Sequence, residues 1–285
     1  MSTPSQPTIL SKFDLNGRVA IVTGGPGLLG KQFCRTLAEA GAAVVVADLN
    51  AAACETLAAA LCQDGYQAAA APTDVTQPES TQAMVETALS KFGRLDILVN
   101  SAALDPKFDP EALAEMAKRG AVSGAFEDYP LEAWKSALDV NLTGMFLCCQ
   151  AAVRPMLAQD KKGSIINICS TYGLVAPDQR LYLRDGQQTA FKPIYYSVTK
   201  AGVLGLTRYL ATYYAGTDLR VNCLTPGGVF NNHDEVFLKA YSARTVMGRM
   251  ARQDEMNGAL LFLASDASSY MTGNNVVVDG GWTAW

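Results

Sequence analysis

The chain is 285 residues long, 49% hydrophobic and 18% charged, which is apolar enough for a large buried core and excludes intrinsic disorder. A formal net charge of -4, with no block of Lys or Arg, argues against a nucleic-acid backbone as partner. Seven scattered cysteines without a Cys-x-x-Cys pair suit neither a disulfide framework nor zinc; they read as core fillers in a reducing compartment, and no metal is expected.

In chain order, the polar Met1–Ser11 stretch lacks the layout of a signal peptide, and residues 1–13 are expected to form a flexible tail ahead of one domain, 14–285. Apolar, β-branched runs follow at Val19–Val22, Ala43–Ala47, Ala68–Ala71, Ile97–Val99, Ser164–Ile168, Arg220–Leu224 and Asn275–Val278. Between them lie helical patterns near Leu28–Ala40, Ala51–Cys62, Glu79–Phe92, Leu131–Ala158, Tyr195–Tyr214 and Gln253–Leu263. The runs are continuously apolar rather than alternating, as parallel strands covered on both faces require. The pattern predicts an α/β fold, a doubly wound seven-stranded parallel sheet in a single domain. No uninterrupted apolar run reaches the roughly 18 residues of a membrane helix, so the chain reads as cytoplasmic.

Two connections exceed the usual length, residues 104–129 after the fourth strand and 171–194 after the fifth. In an open α/β sheet, loops after the carboxyl ends of strands surround the ligand crevice, so both are expected beside substrate.

The first strand runs into Thr23-Gly24-Gly25-Pro26-Gly27-Leu28-Leu29-Gly30 and then a helix. Gly25, Gly27 and Gly30 permit a tight turn and close approach of backbone N–H groups to a pyrophosphate, which the helix N-terminus also attracts. Asp48 closes the second strand at the spacing of an acid that hydrogen-bonds an adenosine ribose, although Asp48 or Asn50 could equally cap the next helix. A carboxylate there repels a 2′-phosphate, so NAD is preferred over NADP. Asp74, after the third strand, could accept from the adenine amino group. Leu49, Val75 and Val229 are counted with the same pocket.

Tyr196-Ser197-Val198-Thr199-Lys200 places Tyr196 and Lys200 on one face of a helix that follows the fifth strand at the ligand edge. A free phenol titrates near 10, and bringing it to about 7 needs roughly 4 kcal/mol. A cation about 5 Å away at an effective dielectric of 20 offers on the order of 3 kcal/mol, and a positive nicotinamide ring could add the rest.

Taken in order, Thr-Gly-x-x-Gly-x-x-Gly, Asn-x-Ala, Asn-Leu-x-Gly, Ile-Asn-Ile-x-Ser, Tyr-x-x-x-Lys, Pro-Gly and a terminal Val-Asp-Gly-Gly give a chain that resembles the short-chain dehydrogenase/reductase family over residues 14–285. The resemblance implies a Rossmann-type domain with Tyr196 as general acid/base and Ser170 hydrogen-bonded to the reacting oxygen. Lys200 would hold the nicotinamide ribose and lower the Tyr196 pKa, while Asn141 supports a relay water. Asn100, Ser101 and Ala102 would lie beside the adenosine ribose, and Pro226 and Gly227 beside the nicotinamide, with a lid near 228–250. It also implies a homo-oligomer, dimer or tetramer, built through the helices carrying Asn141 and Tyr196. Taken singly, Ser170 could be a strand-end cap, Asn141 a helix-interior hydrogen bonder and Pro226-Gly227 a plain turn.

The chain departs from the family pattern at Leu28, where the commonest members carry glycine, and at Asn100-Ser101-Ala102-Ala103, which stands for Asn-Asn-Ala-Gly. Ser170 and Tyr196 also stand 26 residues apart, far more than is usual in the family, so the intervening loop must fold back for them to meet. That loop carries Tyr172, Arg180, Tyr182, Arg184 and Lys192, and reads either as solvated or as a cover gripping a polar, anionic or sugar-like substrate. The expected activity is NAD-dependent interconversion of a secondary alcohol and a ketone. Reduction of a 3-oxoacyl thioester is the rival within the enzyme class, and a non-catalytic dinucleotide sensor or scaffold the rival outside it. The lone His233 and the lack of a Gly-x-Ser-x-Gly elbow disfavour a hydrolase.

Overall fold

The computed structural model describes residues 8–105, 122–160 and 163–285. Of the tail expected over 1–13, residues 1–7 lie outside the described residues, as does the centre of the first long connection, 106–121, while Leu10–Phe13 form a 3-10 turn. Strands β1 (Val19–Thr23), β2 (Ala43–Asp48), β3 (Ala68–Pro72), β4 (Ile97–Asn100) and β5 (Gly163–Ile168) are followed by a short pair, β6 (Leu183–Arg184) and β7 (Gln187–Gln188), then β8 (Leu219–Pro226) and β9 (Asn275–Val278). Seven of them form one parallel sheet in the order β3-β2-β1-β4-β5-β8-β9, as the continuous apolar runs demand.

The sheet is covered on both faces because alternate residues of each strand feed different cores. Val19 and Ile21 of β1 join Val45 and Leu98 in one cluster, while Ala20 and Val22 join Val44, Val46 and Ile97 in the other. The helices are α1 (Leu28–Glu39), α2 (Ala51–Gln63), α3 (Pro78–Phe92), α4 (Leu131–Leu138), α5 (Gly144–Ala158), α6 (Ile194–Tyr213), α7 (Glu235–Ser242) and α8 (Asn257–Ala264). Packing on the first cluster falls to α3, α5 and α6, and on the second to α1, α2 and α8.

The predicted single helix over Leu131–Ala158 is interrupted at Asp139–Thr143, which form a π-turn carrying the buried Asn141. Such turns insert a residue and re-aim a side chain, and they recur at functional sites. By length and composition this helical run could cross a membrane, but half of its most apolar window is buried inside the protein, so its apolarity is that of a core helix. The helix expected over Gln253–Leu263 begins later, at Asn257, and α7 was not anticipated.

Between β1 and β4 the strand order reverses, which opens the crevice that α/β sheets use for ligands. Around its mouth the two long connections meet. Phe191 N–H donates to the Ser123 carbonyl at 2.7 Å, Ser123 bridges Ala190, and Lys192 pairs with Asp105 at 2.6 Å. The second connection is ordered into a two-residue hairpin, in which Asp185 (φ 50°) and Gly186 (φ 76°) both adopt the left-handed backbone that a tight β-turn of this hand requires. Leu181, Tyr182 and Ala190 then pack with Tyr241, Met250 and Trp282 in a third, smaller core. That core joins the connection to the 228–250 segment and the chain's end.

Candidate active site

The turn from β1 to α1 is built for close contact. Gly24 adopts φ 66°, and a Cβ there would stand 2.9 Å from the Ala102 Cα. A side chain at Gly30 would strike the carbonyls of Gly24 and Gly25. Gly27 caps α1 with no side-chain partner, so the first N–H groups, from Leu28, Leu29 and Gly30, open onto the crevice with the positive end of the helix dipole behind them. Residue 28 starts the helix, so Leu28 is tolerated where a glycine is more usual. This cradle fits a dinucleotide pyrophosphate.

Thr23 ties the turn to its neighbour across the switch point. Its Oγ1 accepts from the Ser101 and Ala102 N–H groups at 3.1 and 3.2 Å. Asn100 is turned away beneath this loop: its Nδ2 donates to Asn167 Oδ1 at 2.8 Å, so it braces β4 against β5 and leaves the crevice to the Ser101-Ala102 backbone. At the other end, Asp48 Oδ1 accepts from Asn50 N–H at 2.9 Å, while Asn50 itself caps α2 by accepting from Ala53 N–H. Asp48 therefore orders the β2 turn with one oxygen and keeps Oδ2 without a protein partner among the described residues. Leu49 is exposed beside it. Asp74 similarly uses Oδ1 to hold Thr76. Val75 is buried against Gly144, where a Cβ would stand 2.7 Å from its Cγ2. On the far side, Gly227 approaches Asp279 too closely for any side chain, and Val229 bridges Ala251.

The long Ser170–Tyr196 connection does fold back. Ser170, two residues past the end of β5, caps a turn over Thr171–Gly173, accepting from Tyr172 N–H at 3.2 Å. Gly173 lies so close to α6 that a Cβ would be 2.7 Å from the Lys200 carbonyl, which fixes Ser170 against the helix before the insertion begins. The Ser170 hydroxyl reaches Tyr196 closely enough to favour its phenolate. Lys200 is buried, donates from Nζ to the Ile168 carbonyl at 2.9 Å, and stands 5.7 Å from the Tyr196 ring centroid.

Asn141 is engaged at both ends of its carboxamide. Its Oδ1 accepts from Leu104 N–H at 2.6 Å and its Nδ2 donates to the Leu104 carbonyl at 3.0 Å. The π-turn thus aims Asn141 at the loop leaving β4, and its side chain holds that loop.

Electrostatically, the pocket alone does not deliver the low phenol pKa expected from the sequence. Burial pushes Tyr196 well above 10, the Asp105 carboxylate pushes the same way, and Ser170 opposes them. Burial likewise lowers the Lys200 pKa, against the pull of Cys169 and Asp105. Desolvation is the largest influence on both groups, so a phenol pKa below its free value needs added stabilisation of the phenolate, such as positive charge from a bound ligand.

Of the substrate candidates, Tyr172 meets Tyr196 edge-on with centroids 6.5 Å apart. Tyr182 belongs to the third core. The arginines are engaged within the chain: Arg180 grips Asp178 through two bonds, with Arg244 on the same carboxylate, and Arg184 pairs with Asp234 at 2.8 Å. They brace the insertion. The group that does reach the centre is Lys192, whose Nζ lies 4.1 Å from the Tyr196 ring centroid. Its position directly before Pro193, at the N-terminus of α6, was the available signal, since that spacing returns the end of the insertion to the helix bearing Tyr196. His233 stacks on Phe237 and lies within electrostatic reach of Asp105 and Lys192.

Residues 28–283 match the family model described as enoyl-(acyl carrier protein) reductase. The chain is 36% identical, over 94% of its length and 97% of the relative's, to cis-4-hydroxycyclohexanecarboxylate dehydrogenase of Sinomonas cyclohexanicum. It is 34% identical, over 95% of both chains, to D-threitol dehydrogenase of Mycolicibacterium smegmatis. A crystal structure of a gluconate 5-dehydrogenase from Burkholderia cenocepacia, in complex with NADP and tartrate, superposes with a TM-score of 0.83 at 31% identity, covering 98% of this chain and all of the other. The chain belongs to the short-chain dehydrogenase/reductase family, and is an oxidoreductase of the kind that acts on CH–OH groups.

Proposed function

We propose that this protein interconverts a secondary alcohol and its ketone, with NAD as the preferred cofactor and a polar small molecule as substrate. The observation that carries the reading is the convergence of Ser170, Tyr196 and Lys200 at the carboxyl edge of the sheet, beside a glycine cradle that a side chain would fill. The dinucleotide, when bound, supplies the acceptor or donor of hydride.

In the oxidation direction, Tyr196 takes the substrate hydroxyl proton as the hydrogen on carbon leaves. Ser170 donates to the same oxygen and holds it in line. A cation at the Lys200 distance is worth about 3 kcal/mol toward the phenolate at an effective dielectric of 20, or about two pKa units. Lys200 also presents donors for a ribose. Asn141 keeps the β4 loop against α6, so that the Ser101-Ala102 backbone can line the crevice. Gly24, Gly25, Gly27, Leu28, Leu29 and Gly30 would hold the pyrophosphate, with Asp48, Leu49, Asp74 and Val75 toward the adenosine and Pro226, Gly227 and Val229 toward the nicotinamide. The free Oδ2 of Asp48 supports the choice of NAD, since it can accept from a ribose hydroxyl and would repel a phosphate in its place.

Exposed Phe146, Tyr209 and Tyr213 on α5 and α6 support assembly as a dimer or tetramer through those helices. The description of the matched family model favours a second reading, reduction of a carrier-bound thioester, which the acidic balance and Asp48 oppose. A panel of polar secondary alcohols offered with NAD or NADP, beside an acyl thioester series offered with NADH or NADPH, separates the two. Reduced cofactor formed with alcohols supports the first reading. Binding of dinucleotide without turnover of any substrate contradicts both.

A further inference from the structure

The Lys192 ammonium lies over the face of the Tyr196 ring, 4.1 Å from its centroid, with its side chain only 10% exposed. Its sole ion-pair partner among the described residues is Asp105, at 2.6 Å, whose own carboxylate is 61% exposed. A desolvated cation beside the reacting phenol is thus matched by an anion that sits largely in water and is easily displaced. The lysine's backbone, in contrast, is fixed: its amide N–H donates to Gln179 Oε1 at 2.8 Å, and its carbonyl accepts from Gln179 Nε2 at 3.2 Å.

We propose that Lys192 is the anchor for a carboxylate on the substrate, and that Asp105 occupies the anchor until substrate replaces it. The proposal rests on the carbinol-oxidation reading and deepens it, because it specifies an alcohol that carries a carboxylate within a few ångströms of the reacting carbon. Three points on the molecule support it. The Asp105 carboxylate already shows that an anionic oxygen fits against Nζ. The arginines of the insertion are held by Asp178 and Asp234 and do not compete for the ligand. Lys192 stands just ahead of Pro193, the residue that caps α6, and its Nζ lies over the Tyr196 ring of the first turn, so a group held by the first is placed over the second. A buried cation that loses its anion is disfavoured, so a neutral substrate displaces Asp105 at a cost that a carboxylate avoids.

The test compares a hydroxy acid with its carboxamide, using cis-4-hydroxycyclohexanecarboxylate and the matching amide on the full-length protein with cofactor. The parent is expected to favour the acid in kcat/KM by at least about 30-fold. Lys192→Met, which keeps the apolar stem on the ring, should abolish most of that ratio, mainly through KM, and Lys192→Arg should restore part of it. Asp105→Asn should lower KM for the acid. Equal kcat/KM for acid and amide in the parent, or an unchanged ratio in Lys192→Met, would overturn the anchor while leaving carbinol oxidation standing. Binding of the unreactive cyclohexanecarboxylate to cofactor-loaded protein, followed by ligand-observed NMR, gives a readout apart from turnover. Lys192-dependent binding of that carboxylate without oxidation of any alcohol would uphold the anchor and remove the activity.

Discussion

Asn141 and Leu104 are joined by two hydrogen bonds, one to each backbone group of Leu104, so a side chain in a π-turn of one helix sets the path of the loop leaving β4. That loop carries Asp105, which reaches Lys192 over Tyr196. The clamp therefore connects the helix core to the electrostatics of the proposed base.

Replacing Asn141 by Ala leaves two backbone groups of Leu104 unpaired and empties a buried site. Stability should fall by about 1–3 kcal/mol, with a larger relative loss in kcat than in cofactor affinity. Thermal unfolding and steady-state rates on one preparation check this. A kcat equal to the parent's would show that the loop holds its position without the clamp.

Gly30→Ala should abolish tight dinucleotide binding, because the new methyl meets the Gly24 and Gly25 carbonyls and forces the turn open. A rise of at least tenfold in Kd, about 1.4 kcal/mol, is expected by calorimetry. Affinity within twofold of the parent would mean that the turn does not hold the pyrophosphate.

Asp48→Ala should relax the choice between NAD and NADP, narrowing their ratio of kcat/KM by about tenfold or more through lost repulsion and a lost ribose hydrogen bond. Because Asp48 also orders Asn50, the Asp48→Asn protein distinguishes charge from turn geometry. Unchanged discrimination in both variants would assign cofactor choice elsewhere.

Asp105 raises the Tyr196 pKa, and alcohol oxidation needs the deprotonated phenol. The rate should climb with pH as that proton is lost, and removing the Asp105 charge should let it go sooner. Asp105→Asn is therefore expected to move the acid limb of kcat/KM to lower pH. An unmoved or upward-shifted limb would place Asp105 out of reach of the base.

Most of the architecture was legible in the residues. Continuous apolar runs such as Val19–Val22 and Ile97–Val99 specify strands covered on both faces, and the glycine turn marks where the first one meets its ligand. What escaped depends on contacts distant in sequence. Nothing local reveals that residues 139–143 take a π-turn, since helical periodicity runs on through them. Arg184 is tied by Asp234, 50 residues away, and the Asp178 that Arg180 grips is also held by Arg244, 66 residues on. Lys192 looked like one more loop charge, and only the meeting of two insertions places it over Tyr196 with Asp105. The Asp185-Gly186 dipeptide was a readable hairpin signal inside the second insertion that the long-loop reading passed over.

The account stands on the Tyr196 phenol as the group that moves the proton. Its most direct test is Tyr196→Phe, which keeps the ring beneath Lys192 and deletes only the hydroxyl. Turnover of a substrate accepted by the parent should drop by about 100- to 10,000-fold, with dinucleotide affinity within about threefold of the parent. Oxidation at the parent's rate by that variant would contradict the mechanism outright.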